Sequence, residues 1–139
     1  MSMNKFDAYG PVILRLGVVL LFLWFGFSQI VDPMSWVSYL PDWTKSLHFA
    51  ATQLVFLNGL FEVTLGFLIA IGFFTRIASL LLALHLFVIA YEIGYDPIGV
   101  RDFAIAMSTL SLAFMTPDHL TLDSRMSKPS PSSPSMGQA

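Results

Sequence analysis

The sequence predicts an all-α membrane protein, a bundle of four antiparallel transmembrane helices with an interfacial aromatic segment between the first two. Three observations support this prediction. Of the 139 residues, 55% are hydrophobic and 12% are charged, whereas an ordinary soluble domain has about 25% charged residues. The mean hydropathy is +0.71. The apolar residues also fall into separate runs of the length that a helix needs to cross a bilayer.

The first apolar run follows a short polar lead, residues 1–11, and covers residues 12–30. Its length suits a helix that crosses about 30 Å of hydrocarbon. A cleavable signal peptide is the alternative, but such a peptide has a short apolar core followed by small residues at a cleavage site. This run continues instead into SQIVDP. We therefore interpret it as a retained span.

Three further spans are predicted from the apolar runs that follow, at residues 51–72, 77–93 and 99–116. The turns that separate them are so short that consecutive helices must be antiparallel neighbours. With four spans, both termini lie on the same side of the membrane. The membrane domain then covers residues 12–123. Residues 124–139 are rich in serine and proline and have no apolar run, which predicts a disordered tail.

The flanking lysine and arginine residues predict the orientation. The side of the termini carries five of them and the other side two, namely Lys5, Arg15, Arg76, Arg125 and Lys128 against Lys45 and Arg101. We expect a plasma membrane protein with both termini in the cytoplasm. Snorkelling at the membrane surface accounts for Arg15 and Arg76.

Residues 32–50 form the long connection between the first two spans. Trp36, Leu40, Trp43 and Leu47 recur there at helical spacing, interrupted by Pro41. Amphipathic aromatic side chains settle in the headgroup layer, so the segment is interpreted as an interfacial anchor. A lid over an opening between the helices is the alternative.

Four of the polar residues in the second and third spans match in depth across the two helices. Counted from the turn that joins these spans, Glu62 and His85 lie roughly 15 and 12 Å deep at 1.5 Å per residue. Asn58 and Glu92 lie one layer further out, at matching depth. Asn58 shares a helix face with Glu62, and Glu92 shares one with His85. The spacing therefore predicts two facing polar layers.

These layers have two interpretations. Hydrogen bonding between helices, worth about 1 kcal/mol, is enough to explain Asn58 and His85. Glu62 needs a further reason, because a carboxyl inside hydrocarbon costs several kcal/mol without a partner or a polar cavity. Two carboxyls and an imidazole suit proton handling or the binding of a polar head.

The fourth span opens with Arg101 and Asp102, close in depth to Glu92. Arg101 is a candidate counter-ion for Glu92, and this pair is equally compatible with a purely structural role. Ser28 and Gln29 reach the same outer layer from the first span.

Several classes of function are excluded or disfavoured. Without cysteine, the chain has no disulfide, thiolate metal site or cysteine-ligated cluster. The scattered basic residues offer no stripe for nucleic acid. His48, His85 and His119 lie at different depths and cannot converge on a metal or haem. We therefore predict no metal and no covalent cofactor, and no catalytic residue can be assigned.

The sequence resembles the DoxX family of four-helix membrane proteins from bacteria and archaea. The resemblance covers residues 12–123 and includes FLWFGFSQIVDP and NGLFEVTLGFLIAIGFFTR. Its strongest motif, with a weaker continuation in Leu122 and Asp123, is Glu62, Gly66, Gly72, Thr75 and Arg76.

Relatives in that family are linked to the membrane subunit of a thiosulfate:quinone oxidoreductase and to membrane complexes that handle oxidative stress. The resemblance implies a quinone-head or proton-relay site near Glu62 and His85, with quinone as ligand and redox centres in partner subunits. Whether the chain is itself an enzyme, and whether it forms a homo-oligomer, stays open. The alternatives are a small-solute or proton transporter or channel, and a non-catalytic scaffold.

Overall fold

The computed structural model describes residues 9–115 and 117–126. All regular elements in these residues are helical, so the predicted all-α class is confirmed. Four long helices and one short helix follow in order: α1 Tyr9–Val31, α2 Ala51–Ile71, α3 Thr75–Ile93, α4 Pro97–Phe114 and α5 Leu122–Met126. Two 3₁₀ helices, Pro33–Tyr39 and Asp42–Ser46, lie between α1 and α2. We call residues 32–50 the connector.

Two helices extend across the predicted boundaries of the membrane domain. α1 begins at Tyr9, so the last residues of the predicted polar lead are helical. Pro11 is tolerated there because the first turn of a helix has no internal acceptor for its N–H groups. At the other end, Ser124 belongs to α5 rather than to a disordered tail. The remainder of the lead, 1–8, and of the tail, 127–139, lies outside the described residues.

Three of the helices, α1, α2 and α3, are long and apolar enough to cross a membrane. α4 is present where the fourth span is predicted and has 18 residues. Arg101 and Asp102 lower the hydropathy of its first two turns. That α4 also crosses the membrane stays a prediction.

The four helices form two closely packed pairs, α1 with α2 and α3 with α4, and contact between the pairs is sparser. The apolar core lies in the half of the bundle where α1 begins and α4 ends, which we call the terminal end. Phe22, Ile69 and Leu82 are almost completely buried there. The other half, the connector end, is less filled and leaves room for a cavity.

Two glycines allow α1 and α2 to cross closely. A Cβ atom on Gly59 would lie 2.7 Å from the carbonyl oxygen of Gly26, and one on Gly26 would lie 2.8 Å from that of Gly59. Any other residue would push the helices apart, since real side chains do not approach so near. Small residues at such crossings are typical of membrane helices.

The segment after α4 is tied to the α2–α3 turn. Gly72 ends α2 with a φ of +71°, and a Cβ atom there would collide with Thr121. The Asp123 backbone N–H donates to the Gly72 carbonyl at 2.9 Å. The Asp123 carboxylate accepts from the N–H groups of Phe74 and Thr75, at 3.1 and 2.9 Å. Asp123 therefore caps α3.

Arg15 is predicted to snorkel to the membrane surface, but the structure buries its side chain. Its guanidinium donates to the Asp118 carboxylate at 2.7 Å and to the carbonyls of Ile69 and Ala70 at 3.2 and 2.7 Å. Those carbonyls lie in the last turn of α2, which carries negative partial charge. The Ile69 carbonyl also accepts from the Gly72 N–H at 3.1 Å, so Arg15 adds to the cap of this helix end. Arg76 is exposed. Arg15 thus joins α1 to α2 and to the segment after α4.

The Gly59→Ala substitution should lower the free energy of unfolding by about 1–3 kcal/mol, the usual cost of overpacking. Gly17→Ala is the matched control, because a Cβ atom on Gly17 meets nothing within 4 Å. That control should be neutral or stabilising by up to about 1 kcal/mol. Reversible unfolding in mixed micelles measures both, and equal effects would contradict the close crossing.

The Arg15→Met substitution should cost about 3–5 kcal/mol, because Asp118 would remain buried without its partner. Arg76→Met, at an exposed position near the same end of the bundle, should change stability by no more than about 0.5 kcal/mol. The same unfolding assay compares them. Similar losses in both variants would mean that the buried ion pair contributes little.

Candidate ligand site

A cavity of about 580 Å³ lies in the connector half of the bundle. All four long helices and the connector contribute to its lining, which is mainly apolar. Its phenylalanine, tyrosine and tryptophan residues are Phe22, Phe25, Trp36, Tyr39, Trp43 and Phe61. The volume lies within the range of small-molecule sites, about 300–1,000 Å³.

A triangle of polar side chains lies between α1 and α2 at the closed end of the cavity. Gln29 Nε2 donates to Glu62 Oε2 at 3.2 Å, and Asn58 Nδ2 donates to Glu62 Oε1 at 3.1 Å. Asn58 Nδ2 also donates to Gln29 Oε1 at 2.7 Å. The Glu62 side chain is only 5% exposed. Two amide donors therefore compensate the burial of its carboxyl group.

The glycine crossing accounts for this arrangement. Gln29 follows Gly26 by nearly one turn of α1, while Asn58 and Glu62 lie on either side of Gly59 on α2. Because the two backbones touch at the glycines, short amide side chains are long enough to reach the carboxyl group. The polar triangle therefore depends on the closest contact between the helices.

His85 approaches the same carboxyl group from α3. Its Nε2 lies 3.5 Å from Glu62 Oε1, without the alignment of a hydrogen bond. Within the described part of the chain this buried nitrogen has no hydrogen-bond partner. The imidazole ring also contacts Phe61 edge to face, with centroids 5.1 Å apart. A nitrogen without a partner beside a carboxyl group, in a cavity wall, is suited to binding a ligand or exchanging a proton.

Arg101 and Asp102 lie on α4 and also line the cavity. Arg101 Nε and Nη2 each lie 2.8 Å from Asp102 Oδ1. The guanidinium is 5.7 Å from the centre of the Phe25 ring, within the range of a cation–π contact. The Asp102 side chain is buried, whereas that of Arg101 is half exposed. The ion pair therefore lies at the rim of the cavity.

The predicted outer layer of Glu92 with Asn58 is wrong. Glu92 is exposed and does not line the cavity, and Arg101 pairs with Asp102 instead. At seven residues from His85, Glu92 is turned about 20° around the helix, and it lies in the last turn of α3. Asn58 joins Glu62 in the single polar cluster that the structure forms.

Gln29 is the residue that sequence reasoning missed. Its position near the end of the first span suggests only the outer layer, but the structure places its amide directly on Glu62. An amide inside an apolar run, nearly one turn after a glycine, is the signal that could have identified it.

The connector covers the cavity from the end of the bundle. The Trp36 indole N–H donates to Ser28 Oγ at 3.0 Å, and its ring contacts Phe25 and Tyr39. On the exposed side, a hydrogen bond from Lys45 lowers the pKa of Asp42. The position of the connector fits the lid interpretation. Its location in the headgroup layer stays a prediction.

No cluster of three or more histidine, aspartate or glutamate side chains between residues 9 and 126, residue 116 apart, is placed to hold a metal ion. The cavity lining itself combines hydrogen-bonding groups with aromatic surface.

Apolar helices of membrane-spanning length and a buried carboxyl group beside an internal cavity define a multi-span membrane protein with an enclosed polar site. The DoxX family model matches residues 10–94, from the start of α1 to the end of α3. This is more than half of the 139 residues, and the chain belongs to the DoxX family. No curated protein and no solved structure matches it.

The Gln29→Leu substitution should lower the free energy of unfolding by about 1–3 kcal/mol, because it removes one donor to the buried Glu62 carboxyl group. Adding Glu62→Leu should recover part of this loss, since the unsatisfied group is then gone. Unfolding in mixed micelles compares the variants. The single variant Glu62→Leu completes the comparison. If the double variant loses as much unfolding free energy as the two single variants added together, the two side chains are not coupled as predicted.

Proposed function

We propose that this DoxX protein is an accessory membrane subunit of a redox complex and that its cavity binds the head group of a quinone. One observation carries the proposal, namely a cavity of about 580 Å³ with a polar cluster at its closed end and aromatic side chains along its walls. A quinone needs a flat apolar space for its ring and donors for its carbonyl oxygens. Most ligand sites combine these two features.

The residues present fit such a ring. Phe25 and Phe61 offer aromatic faces. His85 Nε2, which lacks a hydrogen-bond partner among the described residues, offers a group for one carbonyl oxygen. Arg101, at the rim, offers a permanent cation. A bound quinone supplies the capacity to carry two electrons with two protons.

The proposed role of Glu62 is to hold a proton near the bound head group. Its carboxyl group lies 3.5 Å from His85 Nε2, so a proton can pass between the two side chains without a large movement. Gln29 and Asn58 keep the carboxyl group in place. They are positioning residues in this scheme, since Glu62 and His85 lie nearest the ligand.

The electrons must come from elsewhere in the complex. The chain has no cysteine to ligate an iron–sulfur cluster. A role as a membrane subunit therefore requires partner subunits that carry the redox centres. Within the described residues, the ends of the bundle are the parts of the chain available to such partners outside the bilayer.

The proposed location is the plasma membrane, with both termini in the cytoplasm, because basic flanking residues concentrate on the side of the termini. The connector and the rim of the cavity would then face the outer side.

The transporter alternative is less well supported. The cavity extends from the connector end to Phe22, Glu62 and His85, which line it. Beyond these residues Ile69 and Leu82 fill the bundle, and they would have to separate for a solute to cross. A binding site that is closed at one end needs no such opening.

Purification from a quinone-containing membrane in mild detergent tests the proposal. Wild type should retain quinone, and the Glu62→Gln and His85→Ala variants should retain about tenfold less, corresponding to about 1.4 kcal/mol of lost binding. Extraction and mass spectrometry measure the quinone per mole of protein. Glu92→Gln is the matched control, because Glu92 is exposed outside the cavity, and it should behave as wild type.

Two outcomes would contradict the proposal. Absence of quinone from the wild type, also after incubation with added quinone, would leave the cavity without this ligand. An equal loss in Glu92→Gln and Glu62→Gln would mean that the effect does not arise in the cavity.

A further inference from the structure

Two apolar residues on neighbouring helices border the cavity and are also open to the surroundings. Leu57 on α2 and Val88 on α3 both line the cavity, and they are 50% and 53% exposed. In addition, α2 and α3 pack less closely than the helices within each pair. A lining residue that is half exposed lies at an opening. We call the gap that Leu57 and Val88 border the α2–α3 slot.

The walls of the slot are apolar along its length. Leu54 and Phe61 line the cavity from α2, and Ile89 and Ile93 line it from α3. From Leu54 to Phe61 the slot is about 10 Å long, at 1.5 Å per residue. It ends where Phe61 contacts the His85 ring, beside the polar cluster.

We propose that the α2–α3 slot opens to the hydrocarbon of the bilayer and holds the hydrocarbon tail of a membrane-dissolved amphiphile whose polar head lies at Glu62 and His85. The ligand reaches the cavity laterally through the slot. This inference rests on the proposed function and deepens it, because it restricts the ligands to molecules with a tail.

The chemistry of the lining favours this occupant. A hydrated solute that passed between Leu57 and Val88 would exchange water for apolar side chains and lose its hydrogen bonds. A hydrocarbon chain has no hydrogen bonds to lose on the same path, and apolar side chains replace the lipid around it. The tail can come from a quinone or from a phospholipid acyl chain, and the experiment separates these sources.

The test is photo-crosslinking of the full chain in nanodiscs of phosphatidylethanolamine and phosphatidylglycerol. One probe is a decyl ubiquinone with a diazirine at the end of the tail, used with and without excess unreactive decyl ubiquinone. The second probe is phosphatidylethanolamine with a diazirine at the end of one acyl chain. Mass spectrometry of peptides locates the adducts at single residues.

Matched variants narrow the slot or leave it unchanged. Leu57→Trp and Val88→Trp add bulk at its rim from either helix. Leu60→Trp and Leu84→Trp add the same bulk at positions that are 41% and 53% exposed and lie outside the cavity lining. All four sites are exposed, so the bundle should accommodate each tryptophan.

We expect the quinone probe to label Leu54 and Ile93, which line the end of the slot away from the head group, and excess decyl ubiquinone to remove this label. Leu57→Trp and Val88→Trp should reduce it by about tenfold, while the control variants should leave it unchanged. Labelling that both rim variants leave intact, or that occurs equally on the lipid-facing Leu60 and Leu84, would overturn the slot.

The outcomes separate the slot from the proposed function. Glu62-dependent quinone binding without label in the slot would overturn the slot and leave the function standing. Label from the phospholipid probe alone, again lost in Val88→Trp, would support the slot and remove quinone as the ligand. Label in the slot from neither probe would overturn the slot whatever binds at Glu62.

Discussion

The arrangement of α1, α2 and the cavity depends on the burial of the Glu62 carboxyl group inside an apolar helix bundle. Glu62 is held by amide donors from Gln29 and Asn58, and these side chains reach it because Gly26 and Gly59 bring the backbones of α1 and α2 into contact. An apolar side chain would pack here without such support. The close crossing and the polar triangle therefore form one arrangement that keeps a carboxyl group beside the cavity.

The two ends of the bundle have different physical roles. At the terminal end, a filled apolar core and the buried Arg15–Asp118 pair join the ends of the helices. At the connector end, the helix pairs separate around a cavity that Trp36 and its neighbours cover. The packed terminal end can fix the positions of His85 and Glu62 relative to each other. The looser packing between α2 and α3 leaves the space of the cavity.

The sequence predicts what depends on length, composition and helix rise. The apolar runs predict the helices, and counting residues from the turn puts Glu62 and His85 at similar depth, where the structure finds them 3.5 Å apart. The direction in which a side chain leaves its helix is harder to predict. Glu92 is turned slightly around α3 relative to His85 and lies in the last turn of the helix, where it is exposed. Tertiary pairing is harder still, since nothing near Arg15 in sequence indicates that Asp118 will meet it. The pairing of Arg101 is equally hard to predict, because Arg101 pairs with Asp102 and not with Glu92 on α3.

Histidine-selective ¹⁵N NMR tests the central claim, that Glu62 and His85 together face a ligand head group. The chain has three histidines, and His48 and His119 are exposed, so they serve as internal controls. On titration with decyl ubiquinone, we expect the resonances of the His85 ring nitrogens to shift while those of His48 and His119 do not, and we expect Glu62→Gln to abolish the shift. An unchanged His85 signal at saturating quinone, or equal shifts at all three histidines, would contradict it.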